Sequence, residues 1–153
     1  MHRPITIAVL VATLLAAGAV GAQEEPKGVV AYRIAVMRTL GAQMMAVKTA
    51  LTESLEFVDN VKWHAAVIED AAKAMQAQLE DLFPKGSTEN SRALPTIWQK
   101  WDDFAAATDR FVELAGEFRK VAEGDDDQAM LAAFAKLGKK GCGACHEGFR
   151  KKN

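Results

Sequence analysis

Two cysteines and a histidine close to the C-terminus have side chains and a spacing suited to covalent attachment and metal binding. Cys142, Cys145 and His146 form a Cys-x-x-Cys-His motif, and seven residues follow it. Three residues of a helix make almost one turn, so both thiols are expected on the same side. This motif is the attachment signature of c-type haem, in which the thiols form thioethers and the histidine binds the iron. It predicts one covalently bound haem c, attached at Cys142 and Cys145, with His146 as an axial ligand.

Other uses of this motif fit the chain less well. A redox-active Cys-x-x-Cys belongs to a βαβ context, and strand signals are nearly absent from this sequence. A structural zinc site takes four ligands, and the adjacent Cys145 and His146 are awkward ligands for one tetrahedral ion. A disulfide between the two cysteines leaves His146 without a role. The remaining alternative is a helical protein in which the motif is incidental and no haem is bound.

The rest of the chain must position this motif, and its apolar residues recur at the period of amphipathic helices. We predict four helices, at about residues 28–58, 60–82, 95–123 and 125–150. Asp59 or Asn60 is expected to cap the second helix, a polar linker covers 84–94, and the acidic residues 125–127 are expected to cap the fourth. Because each helix has one apolar stripe, we expect an all-α, antiparallel up-down-up-down four-helix bundle with one covalently attached haem.

The N-terminus has the pattern of a secretory signal peptide. His2 and Arg3 precede an apolar run from Ile5 to about Ala17, and small residues follow as far as Ala22. We therefore expect cleavage after Ala22, which removes 1–22, leaves 23–153 as the haem domain and places it in the periplasm. The apolar run is shorter than the ~20 residues of a membrane-spanning helix, which argues against an uncleaved N-terminal anchor. No other segment is long and apolar enough to cross a membrane, so we expect no membrane span after cleavage.

Composition and motifs exclude several classes of function. The chain has 19 Lys and Arg against 20 Asp and Glu, so it lacks the basic footprint of a nucleic-acid-binding protein. It contains no recognisable nucleophile triad, phosphate-binding loop or carboxylate dyad. We therefore expect a protein that is not an enzyme and whose chemistry belongs to its haem.

With the motif at the end of a four-helix pattern, the chain resembles the cytochrome c′ family, the class II c-type cytochromes. The resemblance covers residues 26–152. Four stretches carry it: Cys142-Gly-Ala-Cys145-His146-Glu-Gly-Phe149-Arg150, Leu82-Phe83-Pro84, Pro95-Thr96-Ile97-Trp98, and Tyr32-Arg33 with Met37 four residues after the arginine. The run from Met37 to Met45 is similar to the cytochrome c-556 subgroup.

Only residues 147–153 follow His146, so we expect that a second axial ligand either comes from an earlier helix or is absent. Met37 lies on the apolar stripe of the first helix, and its thioether suits haem iron, although methionine also commonly fills cores. The resemblance implies that Met37 is the distal ligand, as in the c-556 subgroup, and that Arg33 contacts a haem propionate. His64 is an alternative ligand that would give a bis-histidine site.

Residues around the motif have predicted supporting roles. Four aromatic residues are expected to form apolar haem walls or to serve only in helix packing: Trp98, Trp101, Phe104 and Phe149. Arg150, one turn after His146, either tunes the histidine or favours the helix C-terminus as a cation. The tail Lys151-Lys152 is either solvated charge or a docking point for an acidic partner.

Two functions follow from the two possible states of the iron. With His146 and Met37 as ligands, the iron is low-spin and the protein is a periplasmic mono-haem cytochrome that carries single electrons to a redox partner protein. In much of the family the position of Met37 is apolar and blocks the iron. The alternative is therefore a five-coordinate protein that binds NO or CO, with Met37 as distal gate. The resemblance also allows a homodimer formed through the first two helices.

Overall fold

The computed structural model describes residues 25–53, 55 and 58–152, and the predicted signal peptide, 1–22, lies outside them. These residues form α-helices and one π-helical turn, joined by short connections except for a longer linker over 83–95. In chain order they are α1 (Gly28–Thr52), α2 (Val58–Ala77), α3 (Leu79–Leu82), α4 (Thr96–Gln99), α5 (Trp101–Ala122), α6 (Asp127–Lys136), the π turn (Leu137–Cys142) and α7 (Gly143–Phe149).

Four rods make up the fold: α1, α2, α5 and a last rod in which α6, the π turn and α7 follow one another directly. The helix α2 packs against α1 and α5, and α5 packs against the last rod. This arrangement confirms the predicted all-α four-helix bundle. Within the described chain, no helix is both long and apolar enough to cross a membrane. The main core takes buried side chains from every rod, among them Val47, Val61, Ile68, Leu114, Phe118, Met130 and Leu137.

The predicted apolar stripes are the buried faces of the helices. On α5 the residues at steps of three and four are buried from Phe104 to Phe118, and on α2 both Val61 and Ile68 are fully buried. The acidic cap of the last rod is also confirmed, because the Asp126 carboxylate accepts hydrogen bonds from the backbone N–H groups of Gln128 and Ala129. A short polar side chain at this position satisfies N–H groups that have no partner inside the helix.

The connection between α1 and α2 differs from the prediction. The helix α1 ends at Thr52, and the Leu55 N–H bonds to the Ala50 carbonyl, five residues back, which closes the helix end. The apolar pattern in the sequence continues past Thr52 because Leu55 is half-buried even though it lies outside the helix. Since α2 begins at Val58, Asp59 lies in its first turn. The prediction that Asp59 or Asn60 caps this helix is therefore wrong.

Two predicted helices are interrupted by a single residue. The second breaks at Gln78 (φ −123°, ψ 30°) and the third at Lys100 (φ −131°, ψ 53°). Neither residue is Gly or Pro, so local sequence gives no signal for the break. The break at Gln78 separates the main core from Leu79, which is buried in a second apolar cluster. Packing thus overrides helix propensity at this point.

The π turn keeps one face of the last rod on the core. The residues of this face recur at every fourth position: Leu137, Gly141, Cys145 and Phe149. On a straight α-helix of 3.6 residues per turn, residues with this spacing shift gradually around the helix. The wider π turn absorbs part of this shift, and Gly143 N–H bonds to the Gly138 carbonyl five residues back. Glycine at 141 suits this close packing, because a Cβ there would lie 3.1 Å from Leu137 Cδ1 and 3.3 Å from Phe111 Cδ2, so these side chains would have to shift slightly.

Exposed apolar side chains are concentrated on the first two rods. Tyr32 and Met45 on α1 and Trp63 on α2 are the large hydrophobic residues that stand exposed in the described chain. These are the helices for which the resemblance allows a homodimer. The dimer stays a prediction, which light scattering of the purified protein would test.

Candidate haem site

Both cysteines of the motif lie on the last rod and are half-buried. Cys142, the final residue of the π turn, packs against the main core. Cys145, in α7, packs against a second cluster, here called the aromatic cluster, which contains Leu79, Phe83, Ala93, Ile97, Trp98, Trp101, Phe104 and Phe149. The two thiols therefore sit one helical turn apart at the boundary between two apolar regions.

Burial makes both thiols weak acids. It raises the pKa of Cys142, and it raises the pKa of Cys145 to about 11, although a hydrogen bond with Thr108 acts in the opposite direction. Reactive cysteines of redox motifs have lowered pKa values, so these surroundings disfavour a redox-active dithiol. Sequence reasoning placed Thr108 on an apolar stripe and missed its contact with Cys145. A lone hydroxyl on that stripe was the available signal.

Phe104 is the centre of the aromatic cluster and is 4% exposed. Its ring packs edge-on against Phe83 and Phe149, with centroids 4.8 and 5.1 Å away, and it lies 5.8 Å from Trp101. Trp98 Nε1 donates a hydrogen bond to the Phe83 carbonyl at 2.8 Å. The four aromatic residues predicted as walls are thus brought together beside Cys145.

The C-terminal residues pair with the linker that precedes α4. The Leu94 N–H donates to the Phe149 carbonyl at 3.0 Å, and the Lys151 N–H donates to the Arg92 carbonyl at 2.8 Å. Ala93 and Arg150 form an isolated β-bridge between these hydrogen bonds. The pairing closes one side of the aromatic cluster and holds the end of the motif in place. No local sequence pattern predicts this pairing, because the partners are far apart in the chain.

His146 is exposed and lies next to Arg150, whose Nη1 is 3.0 Å from its Nδ1. A guanidinium can only donate, so Nδ1 accepts and the ring is neutral. Desolvation of the ring lowers the pKa of His146, and the charges of Arg150 and Arg92 lower it further. A metal-binding histidine must be neutral, so this environment favours a role as iron ligand.

A contact between Met44 and Gly138 indicates the register of α1 against the last rod. A Cβ on Gly138 would lie 3.9 Å from Met44 Cε, and Phe134 shares a surface groove with Lys48 and other residues of the same α1 end. The two rods therefore run antiparallel. Seven residues back from Met44 lies Met37, and seven residues forward from Gly138 lies Cys145, each about 10 Å away along its rod.

Arg33 is one of the buried charged residues, at 4% exposure. Its Nη1 donates to the Leu82 carbonyl at 2.9 Å and to Ser87 Oγ at 3.0 Å. Its Nη2 donates to the Ser87 carbonyl at 2.8 Å and to Ser91 Oγ at 3.0 Å. The guanidinium also lies 4.6 Å above the Phe83 ring. Arg33 thus ties α1 to the linker, and a contact with a haem propionate stays a prediction.

His64, the alternative ligand, has a different partner. Its Nδ1 is within hydrogen-bond distance of Gln43 Oε1, and its ring packs edge-on against the exposed Trp63. One ring nitrogen is therefore already engaged between α1 and α2. The structure does not bring His64 together with the cysteines, which disfavours a bis-histidine site.

The residues present fit a covalently bound haem. Two protonated thiols one turn apart, a neutral histidine and an apolar surround are the donor set that c-type attachment requires. Among the residues that the structure describes, no group of three or more His, Cys, Asp or Glu side chains is placed to hold a metal ion. A helical bundle with such a motif defines the class of c-type cytochromes.

Comparisons with known proteins specify this class further. The family described as Cytochrome C' matches residues 28–150. Cytochrome c-556 of Agrobacterium fabrum is 35% identical over 152 residues, 98% of this chain and 96% of that protein. Cytochrome c-554 of Cereibacter sphaeroides is 39% identical over 103 residues, 62% of this chain and 76% of that protein. The crystal structure of cytochrome c′ from Thermochromatium tepidum superimposes with a TM-score of 0.72 at 25% identity, covering 86% of this chain and 100% of that one.

The chain belongs to the cytochrome c′ family. It is a non-enzymatic haem protein with one covalently bound haem c. These matches confirm the resemblance to the cytochrome c′ family that the sequence motifs indicated.

Proposed function

We propose that this protein is a periplasmic one-electron carrier in which Cys142 and Cys145 hold the haem and His146 and Met37 are the axial ligands. The observation that carries the proposal is the register of α1 against the last rod. Counted from the contact of Met44 with Gly138, this register favours a position of the half-buried Met37 near the level of Cys145, which is adjacent in sequence to His146. The likeness of the run from Met37 to Met45 to the c-556 subgroup supports the same assignment.

Each residue has a defined task in this proposal. The haem, when bound, supplies the one-electron chemistry. The neutral His146 and the neutral thioether of Met37 add no net charge to a half-buried site, which avoids a desolvation cost. The aromatic cluster beside Cys145 keeps water from that side, so the protein controls the reduction potential. Two protein ligands leave no iron position for substrate, which suits electron transfer.

The absorption spectrum of the exported protein, ferric and ferrous, tests this function. We expect low-spin spectra with sharp ferrous bands that carbon monoxide leaves unchanged, because Met37 holds the sixth position. High-spin spectra that shift promptly on addition of the gas would contradict the proposal. That result would instead favour the five-coordinate alternative, in which Met37 is a gate for NO or CO.

The mass of the exported protein tests the signal peptide and the attachment together. Expressed with haem-attachment machinery, the chain should have the mass of residues 23–153 plus one haem. The Cys142→Ala/Cys145→Ala variant is the matched control and should lack the haem mass. A wild-type chain that retains 1–22 would refute the proposed cleavage, and one without haem mass would refute the attachment.

A further inference from the structure

Charge is distributed very unevenly along this chain. Residues 25–135 contain 12 Lys and Arg against 18 Asp and Glu, whereas residues 136–152 contain six Lys and Arg against the single acid Glu147. The last rod is thus strongly basic in a protein whose net charge is −1. A separation of this kind creates a positive potential at one surface that overall charge does not reveal.

The fold gathers these charges around His146. Lys139, Lys140, Gly143 and His146 are spaced at three and four residues, so they share one face of the last rod. Arg150 follows α7 with an extended backbone and lies beside His146 through its contact with Nδ1. This face lies opposite the buried row that includes Leu137, Gly141 and Cys145. Both lysines and His146 are exposed. The lysines lie about 10 Å along the rod from His146, near one Debye length at physiological salt.

The linker adds one further cation. The Lys151 N–H bonds to the Arg92 carbonyl, and an Arg92 Nη2 hydrogen bond to the Lys151 carbonyl reinforces the pairing. Arg92 therefore sits beside the C-terminal tail, and its charge acts on His146. We define the C-terminal basic face by its residues: Arg92, Lys139, Lys140, Arg150, Lys151 and Lys152.

Among the ion pairs of the described residues, none uses a side chain of the C-terminal basic face. The neighbouring Lys136 differs, because it pairs with Glu117. Internal ion pairs thus leave the charges of this face for an outside partner. Charge complementarity across an interface steers encounter and selects partners.

We propose that the C-terminal basic face docks an acidic redox partner protein, and that the electron passes at the His146 side of the haem. This inference rests on the proposed electron-carrier function. With the haem bound, the step would be a one-electron transfer: the haem would supply the electron and pass from ferrous to ferric, and the redox centre of the partner would be reduced by one electron. Lys139 and Lys140 steer the partner, and Arg92 with the C-terminal tail borders the contact.

Charge reversal at matched positions tests the face. The Lys139→Glu/Lys140→Glu variant changes the net charge by the same amount as the control, Lys48→Glu/Lys120→Glu. All four lysines are exposed and none takes part in an ion pair of the described chain. Lys48 and Lys120 lie near the ends of α1 and α5 that are remote from the motif.

Two readouts are measured on the haem-loaded proteins. The first is binding of poly-L-glutamate by calorimetry, and the second is oxidation of the ferrous protein by hexacyanoferrate(III) in a stopped-flow instrument. At low ionic strength we expect the Lys139→Glu/Lys140→Glu variant to lose about tenfold in both, and the control to lose less than about twofold. The difference should shrink as salt is added.

The other outcomes each overturn a defined statement. Equal losses of binding and of oxidation rate in both variants would mean that net charge alone determines the two readouts. This result would overturn the docking role of the C-terminal basic face but not the electron-carrier function. A wild-type protein that binds polyglutamate but exchanges no electrons with hexacyanoferrate would overturn the electron-carrier function and, with it, the role of the face. A third outcome is that the wild-type protein sediments with vesicles of phosphatidylcholine and phosphatidylglycerol in equal parts but does not bind polyglutamate. This result would assign the C-terminal basic face to a membrane surface and overturn the proposal of a protein partner.

Discussion

Replacing Met37 with alanine is expected to convert the haem iron from low spin to high spin and to let carbon monoxide bind promptly. The physical reason is competition for one iron position. If the methionine occupies that position for about 99% of the time, its removal raises the apparent affinity for the gas about hundredfold. The reduction potential should fall, because ligation by methionine and histidine raises it.

Met44→Ala is the matched control for this experiment. Met44 is also half-buried on α1 and packs against the main core, but it faces Gly138, about 10 Å along the helix from Met37. Its removal should lower the melting temperature without changing the spin state. The proposed ligation is wrong if Met37→Ala keeps the wild-type spectrum and potential. The Met37→Leu variant distinguishes the effect of the sulfur from the effect of side-chain volume, because leucine retains the packing but has no sulfur.

Replacing Arg33 with alanine is expected to lower the free energy of unfolding by about 2–4 kcal/mol, since hydrogen bonds from a charged group are among the stronger ones and their acceptors would lose a buried partner. The loss corresponds to a drop in melting temperature of roughly 10 °C for a chain of this size. Arg33 is buried, and it donates to Leu82, Ser87 and Ser91, so its removal frees the linker from α1.

Arg38→Ala is the control, because Arg38 is an exposed arginine of the same helix. We expect its effect to stay within about 0.5 kcal/mol. Thermal unfolding followed by circular dichroism measures both variants, and the reduction potential is recorded alongside. A shifted potential with an unchanged melting temperature for Arg33→Ala would indicate a propionate contact and would contradict the role as a link to the linker.

The interruptions of the predicted helices have tertiary causes. Gln78 and Lys100 carry no helix-breaking chemistry, and the sequence predicts continuous helices through both. The structure turns the chain at these residues, so that Leu79 reaches the aromatic cluster while Leu82 stays in the main core. The π turn is similar, because its wider winding follows from keeping Leu137, Gly141 and Cys145 on one buried face.

Four features follow from the amino-acid sequence alone: the attachment motif, the number of bundle rods, the apolar stripes and the acidic cap of the last rod. Each depends on residues close together in the chain, where spacing and local hydrogen bonding decide the outcome. Two further features depend on the packing of the bundle: the register of α1 against the last rod, from which the level of Met37 is inferred, and the acceptors of the Arg33 hydrogen bonds. The same packing also decides the pairing of Arg92 with Lys151, which adds a distant cation to the basic face. These features join residues far apart in sequence, and their geometry depends on the packing of whole helices, which no local pattern encodes.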